Sequence, residues 1–160
     1  MIKKLFVAGC SVSDYTNVDK IYGELLSEKL NCTYIHEGAG CGSNWRIWRK
    51  IINYIINGDL TSDDLLIIQY TSFERKEFWS NIEKDMITGK IKIREKYKNG
   101  GNLIRFKIDS YKWHKQYEKK FLKIYEENFI NIDYEKDVFN TQNIMFQELL
   151  SKYNIKTIFF

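Results

Sequence analysis

The sequence predicts a three-layer α/β/α domain built around a parallel β-sheet. Three observations predict it: compact apolar runs typical of buried strands, amphipathic helical segments between these runs, and glycine-rich or polar turns directly after them. The order strand, helix, strand, helix, strand implies right-handed crossovers with helices on both faces of the sheet. The 160 residues are the usual size of one domain, so we expect a single domain over residues 1–160.

The first half of the chain contains the clearest elements. Buried strands are predicted at Lys4–Ala8 and Leu65–Tyr70, and a short strand is predicted between them at Thr33–His36. Helices are predicted between them, at Asp19–Leu30 and from Ser43 or Asn44 to Gly58, because their apolar residues recur every three or four positions. The residues that these helices should bury are Ile21, Tyr22, Leu25, Leu26 and Leu30 in the first, and Trp48, Ile51, Ile52, Ile55 and Ile56 in the second.

An insertion is predicted after the third strand, over about residues 73–130. It contains two alternating runs, Lys90–Arg94 and Ile104–Ile108, on either side of the turn Asn99–Asn102, which predicts a β-hairpin. A helix should follow from Asp109 or Ser110 to about Asn128.

The chain should end in a helix over Glu135–Tyr153 and a buried parallel strand over Ile155–Phe160. A parallel strand as the last element is typical of an interrupted domain. The outer edge of that strand needs a partner, so we expect a longer native chain, a second copy or another protein to cover it.

Charge and hydropathy narrow the classes of function. The formal net charge of +4 is modest, and nucleic-acid binders usually concentrate more positive charge on one face, so no nucleic-acid partner is expected. No stretch approaches the roughly 20 apolar residues of a membrane span. The N-terminal apolar run stops too early for a signal peptide, which predicts a cytoplasmic chain, with a phage virion as the alternative location.

The cysteines and the glycine turn raise three alternatives, namely a zinc site, a cysteine nucleophile and a phosphate-binding loop, and the residue spacing does not favour them. Cys10, Cys32, His36 and Cys41 lack any Cys-x-x-Cys pair, so no zinc site is predicted. Cys10 is an alternative nucleophile only if a partner lowers its pKa. The turn Gly38–Gly42 lacks the Gly-Lys-Ser/Thr sequence of a phosphate-binding loop, so no cofactor is expected.

Three loops with small or polar residues follow the predicted strands. They are Gly9–Asp14, Gly38–Asn44 and Gln69–Ser72. In open parallel sheets, active sites form at the carboxyl ends of the strands, where such loops converge. A serine directly after the first strand, Ser11, is well placed for nucleophilic attack, and a glycine turn lets backbone N–H groups approach a developing oxyanion.

These three loops resemble the first three sequence blocks of the SGNH/GDSL hydrolase family. The resemblance covers roughly the first half of the chain and implies a flavodoxin-like three-layer fold. It also implies that Ser11 is the nucleophile and that the N–H groups of Ser11 and Gly42 are oxyanion donors. Thr71 stands where the family usually has asparagine, and Asn44 and Arg75 are further binding candidates because they lie beside these loops. The segment Tyr70–Arg75 resembles a divergent branch found in phage and marine bacterial proteins.

The chain departs from the family at the catalytic base. The family places Asp and His in an Asp-x-x-His block near the C-terminus, and this sequence has no such block after Lys136. Its two histidines are His36, the candidate base before the glycine turn, and His114, on a predicted helix.

Two functions therefore remain open. One is a serine ester hydrolase acting on a small-molecule or carbohydrate ester. The other is a non-catalytic SGNH-like binding or structural module, for example in a phage particle.

Overall fold

The computed structural model contains a four-stranded parallel sheet flanked by helices, which is an α/β fold. It describes residues 2–9, 19–38, 42–73, 75–80, 85–94, 103–107, 120, 124 and 131–160. The strands of this sheet are β1 (Lys4–Gly9), β2 (Thr33–Gly38), β3 (Leu65–Ile68) and β7 (Lys156–Phe159), and the helices are α1 (Tyr22–Leu30), α2 (Asn44–Ile56) and α3 (Ile132–Lys152).

The sheet has the strand order β2-β1-β3-β7, which places β1 between β2 and β3. All three pairings are parallel, and Gly9 at the end of β1 is aligned with Gly38 at the end of β2. Ala8, Ile68 and Phe159 lie side by side across β1, β3 and β7. The predicted C-terminal strand is therefore confirmed as part of the sheet, but the prediction that it is buried is wrong, since Ile158, Phe159 and Phe160 are 50%, 37% and 59% exposed at the edge of the sheet.

The two faces of the sheet pack against different helices. The main core cluster joins α2 and α3 to one face, where Phe6 and Leu66 are fully buried beside Ile51 and Phe146. The opposite face carries Leu5, Val7 and Ile67 against Tyr22 and Leu26 of α1. The residues of β1, β2 and β3 alternate between the two clusters because successive side chains of a strand point to opposite faces.

Two residues on the expected buried faces of the first two helices are exposed. Leu25 of α1 is 47% exposed, whereas Gly23 and Ser27 are buried. A Cβ on Gly23 would lie 2.6 Å from the Tyr34 ring, so α1 approaches β2 through its small residues and turns Leu25 outward. Ile56, in the last turn of α2, is 73% exposed.

The second helix otherwise follows the predicted pattern. Ser43 is its N-cap and accepts a hydrogen bond from the Arg46 N–H at 3.1 Å, which selects Ser43 over Asn44 as the capping residue. Ile47, which the prediction omitted, is fully buried. Just past the helix, Gly58 adopts a φ of 74°, the left-handed conformation that favours glycine at a helix end.

A separate antiparallel sheet follows β3 in the chain. Its strands are β4 (Arg75–Ser80), β5 (Asp85–Arg94) and β6 (Leu103–Lys107), in the order β4-β5-β6. The β5–β6 pair confirms the predicted hairpin. β4 was not predicted, because its sequence RKEFWS lacks apolar alternation, and it becomes a strand by pairing with β5.

The predicted helix over residues 109–128 lies almost wholly outside the described residues, of which Lys120 and Ile124 are helical. The predicted helix Glu135–Tyr153 is confirmed as α3, which starts three residues earlier after the Asn131 N-cap. Within the part of the chain that the structure describes, no helix has the length and apolar character needed to cross a bilayer.

Candidate functional site

The carboxyl ends of β1, β2 and β3 meet at one edge of the sheet. Gly9 and Gly38 are aligned there, and the Gln69 N–H just after β3 donates a 2.9 Å hydrogen bond to the Ala8 carbonyl. The segments that leave these three strands therefore start from neighbouring positions. This is the edge at which ligands bind in open parallel sheets.

Asn44 and Thr71 join the segment after β2 to the segment after β3. The Asn44 Nδ2 donates to the Thr71 carbonyl at 2.9 Å, and the Thr71 N–H donates to Asn44 Oδ1 at 2.9 Å. Asn44 is only 3% exposed. Its carboxamide thus pairs with the Thr71 backbone in the way that a peptide group of a neighbouring strand would.

Arg75, the first residue of β4, connects this strand to the segment that contains Gly42 and Asn44. Its Nη1 donates a 3.3 Å hydrogen bond to the Gly42 carbonyl, two residues before Asn44. The Arg75 Nε is buried and has no hydrogen-bond partner among the described residues. Four predicted site residues, Gly42, Asn44, Thr71 and Arg75, are therefore brought together by three hydrogen bonds.

A buried polar network at Glu37 lies at the start of the glycine turn. Glu37 is 8% exposed, and its carboxylate accepts a 2.6 Å hydrogen bond from the Tyr54 hydroxyl. Arg46 donates to the Glu37 carbonyl at 2.8 Å and to its carboxylate at 3.4 Å. Lys50 Nζ lies 3.6 Å from the same carboxylate. This network ties the carboxyl end of β2 to α2 along most of the length of the helix.

The hydrogen bond to Glu37, together with burial, raises the pKa of Tyr54 to about 12. This network was not predicted from the sequence. The sequence does contain a pattern that indicates it. Arg46, Lys50 and Tyr54 are spaced four residues apart and so share one face of α2. Nothing in the local pattern indicated which strand that face would meet.

His36, the candidate base, lies in β2 beside Val7 of β1. Its ring centroid is 6.1 Å from that of Tyr34, which packs in the cluster on the α1 side of the sheet. His36 therefore faces α1, whereas Glu37 faces α2. Ser11 lies outside the described residues, as do Cys10 and Cys41, so its role as nucleophile stays a prediction.

A cleft opens next to Gly42 and Asn44, between α2, the start of β4 and α3. Its cavity volume is about 10 Å³, which is room for about one water molecule. Aromatic and polar side chains line it together, and the Gln142 Oε1 is buried there without a hydrogen-bond partner among the described residues. The lining residues are Asn44, Trp45, Trp48, Phe73, Arg75, Glu135, Val138, Phe139 and Gln142.

The floor of this cleft is aromatic. Trp48 stacks on Phe139 with ring centroids 5.7 Å apart, and the Tyr70 hydroxyl donates to Asn143 Oδ1 behind them. Burial raises the pKa of Tyr70. These contacts attach α3 to the end of β3, so α3 forms one wall of the site.

No protein-family model, curated protein or solved structure matches this chain. The chemistry of its own side chains therefore defines the site. Over the described ranges, no three His, Cys, Asp or Glu side chains are grouped so that they could hold a metal ion. Cys32 is a free thiol whose pKa is raised by burial, which disfavours the thiolate that metals bind.

Proposed function

We propose that the chain is a serine ester hydrolase of the SGNH/GDSL type, with Ser11 as the nucleophile. The observation that carries the proposal is the two-way hydrogen bonding between Asn44 and the Thr71 backbone. It joins the segments after β2 and β3 beside the end of β1, and these three segments are the ones whose sequences resemble that family.

The sheet supports the same proposal. The order β2-β1-β3-β7, with α1 on one face and α2 and α3 on the other, is what a flavodoxin-like three-layer fold requires. Ser11 follows Gly9 by two residues, so the covalent chain limits their Cα separation to about 7 Å. That distance keeps Ser11 within reach of the sheet edge where Gly42 and Thr71 lie.

The proposed reaction proceeds through an acyl-serine intermediate. The Ser11 Oγ attacks the ester carbonyl carbon as a base takes its proton, and the backbone N–H groups of Ser11 and Gly42 stabilise the oxyanion. The tetrahedral intermediate then collapses to the acyl-serine, and the alcohol leaves with that proton. Water hydrolyses the acyl-serine in the second step. His36 is the candidate base, and the Thr71 hydroxyl is the candidate third donor.

A fluorophosphonate probe tests the nucleophile directly. The folded wild-type chain should become covalently labelled, Ser11→Ala should abolish labelling, and the neighbouring control Ser13→Ala should retain it. Hydrolysis of p-nitrophenyl acetate should fall by about three orders of magnitude in Ser11→Ala. Labelling that survives in Ser11→Ala, or a folded wild-type chain that is never labelled, contradicts the proposal.

The second candidate function is a non-catalytic SGNH-like binding module. The observation that favours it is the side of the sheet on which His36 lies, since this histidine faces α1 and the Asn44–Thr71 pair adjoins α2. His36→Gln separates the two functions. The hydrolase requires this variant to slow probe labelling at least about tenfold at pH 7. The binding module requires an unlabelled wild-type chain that still binds ligands.

A further inference from the structure

We propose that two copies of this chain pair through the outer edge of β7, antiparallel and centred on Ile158, and so join their parallel sheets. Among the described residues, β7 pairs only with β3, and it is the last strand in the order β2-β1-β3-β7. An edge strand presents a row of backbone groups that can pair with another chain. This pairing concerns assembly and does not depend on the proposed hydrolase.

The backbone groups on the outer edge of β7 belong to Thr157 and Phe159. Phe160 uses both of its groups on the inner edge, since its N–H donates to the Ile68 carbonyl at 3.1 Å and its carbonyl accepts from the Tyr70 N–H at 3.0 Å. Successive residues of a strand direct these groups to opposite edges, so those of Thr157 and Phe159 point outward. They have no partner strand among the described residues.

The spacing of these outward groups fits a second copy in antiparallel orientation. In an antiparallel ladder, each hydrogen-bonded pair of opposed residues exchanges both of its hydrogen bonds. With Ile158 on the two-fold axis, Thr157 of one copy is opposite Phe159 of the other, and symmetry generates the reverse pair. Every outward N–H and C=O group of the two residues is then used. A two-fold interface requires this kind of self-complementary surface.

The side chains at this edge are apolar and exposed on both faces of the sheet. Ile158 is half exposed on the α1 side, because its neighbour in β3 is Ile67 of the cluster on that side. Phe160 is exposed on the same side, and Phe159 is exposed on the opposite side. Another strand added to the edge contacts both sets of side chains, which a partner lying on one face of the sheet could not do.

The charge on β7 favours this register. Lys156 is the only charged residue of the strand. With Ile158 on the axis, Lys156 is opposite Phe160 of the other copy and on the same face, where an ammonium group can lie over the ring. The two lysines are then four residues apart along the ladder, about 13 Å, so their repulsion is screened at physiological ionic strength. A register centred on Lys156 would place the two lysines directly opposite each other.

The contact is small, so the dimer should be weak. The exposed parts of Phe159 and Phe160 amount to roughly 200 Å² per chain, whereas a standard stable complex buries about 800 Å² per partner. Sedimentation velocity of the full chain should therefore show a monomer–dimer equilibrium with a Kd of about 1–100 µM. A chain that stays monomeric up to about 500 µM overturns the proposal and leaves a strand of another protein as the occupant. Oligomers larger than a dimer also overturn it, because a two-fold contact is closed.

Ile158→Lys tests the position of the axis. It places two like charges opposite each other, so the Kd should rise at least about tenfold. The side chain is half exposed, so the monomer should keep the circular dichroism of the wild type. Ile144→Lys, at an exposed position on α3, is the matched control and should dimerise as the wild type does. An equal mixture of Ile158→Lys and Ile158→Glu should restore the dimer, and a mixture of the folded variants that stays monomeric refutes the pairing.

Ile158→Cys gives a covalent readout of the same register. Opposed residues of a non-hydrogen-bonded antiparallel pair have Cα atoms about 4.5 Å apart, a distance that a disulfide can bridge. Glutathione disulfide should therefore cross-link Ile158→Cys into a dimer that dithiothreitol separates. Lys156→Cys is the control for position, because its two copies lie about 13 Å apart, and the wild type controls for the native cysteines. Cross-linking of Lys156→Cys as fast as that of Ile158→Cys contradicts the proposed pairing.

Discussion

The Tyr54 hydroxyl of α2 donates a 2.6 Å hydrogen bond to the carboxylate of Glu37, at the carboxyl end of β2. The two residues are 17 positions apart and flank the glycine turn that leads to Gly42 and Asn44. Arg46 reinforces the joint by donating to the Glu37 carbonyl at 2.8 Å. The turn therefore starts and ends on elements that are bonded to each other, which limits how far its two ends can move apart.

This joint should depend on pH in the alkaline range. The pKa of Tyr54 is raised from 10.0 to about 12, chiefly by its hydrogen bond to Glu37. Because the folded pKa exceeds the unfolded one, the stabilisation is complete below about pH 10 and is lost as the pH rises towards 12. The measurement is the free energy of unfolding in urea for wild type and Tyr54→Phe from pH 8 to pH 12. Other groups that titrate in this range affect both proteins alike, so they cancel in the difference between the two free energies.

The wild type should be the more stable protein at pH 8, and its advantage over Tyr54→Phe should shrink between about pH 10 and 12. A difference that stays constant across this range would show that Tyr54 does not titrate with a raised pKa.

Asn44→Ala should destabilise the chain by about 1–3 kcal/mol, because the Thr71 N–H and carbonyl both lose their partner. Asn53→Ala, at an exposed position on the same helix, is the control and should change stability by no more than about 0.5 kcal/mol. Chemical denaturation measures both. Equal stability of the two variants would contradict the proposed joining of the two segments.

Asp64→Ala should also destabilise the chain by about 1–3 kcal/mol. Asp64 is 1% exposed, and its Oδ2 accepts hydrogen bonds from the Thr61 N–H at 2.9 Å and the Thr61 hydroxyl at 3.0 Å, which shapes the turn into β3. The adjacent Asp63 instead forms an exposed ion pair with Lys3. Asp63→Ala should therefore cost much less than Asp64→Ala in the same denaturation experiment, and the prediction fails if the two variants rank the other way.

Ile155→Ala should cost about 2–5 kcal/mol in thermal or chemical unfolding. Ile155 is 8% exposed and packs with Phe146 and Leu150 where α3 leads into β7. Ile158 within β7 is 50% exposed, so Ile158→Ala is the control and should cost about 1 kcal/mol or less.

Deletion of residues 155–160 should destabilise the chain more than Ile155→Ala does. It removes the whole ladder on β3, including the hydrogen bond from the Tyr70 N–H to the Phe160 carbonyl at 3.0 Å. A truncated chain that melts at the temperature of the full chain would show that β7 contributes nothing to the sheet.

Local patterns in the sequence determined the elements and their kind. Apolar runs marked β1, β3 and β7, and helical spacing marked α2 and α3, because a buried face must repeat with the period of its own backbone. Loops after parallel strands share one edge of the sheet, so Gly42, Asn44, Thr71 and Arg75 could be predicted as neighbours.

Tertiary structure alone decided how the elements face one another. Asn44 and Thr71 are 27 positions apart, with most of α2 and the whole of β3 between them, and no local period encodes their hydrogen bonds. Leu25 matches a helical stripe, yet the close approach of α1 to Tyr34 at Gly23 turns it outward. β4 exists because β5 lies beside it. Such contacts depend on which surfaces meet after the chain has folded, and the periodicity of one segment carries no information about its partner.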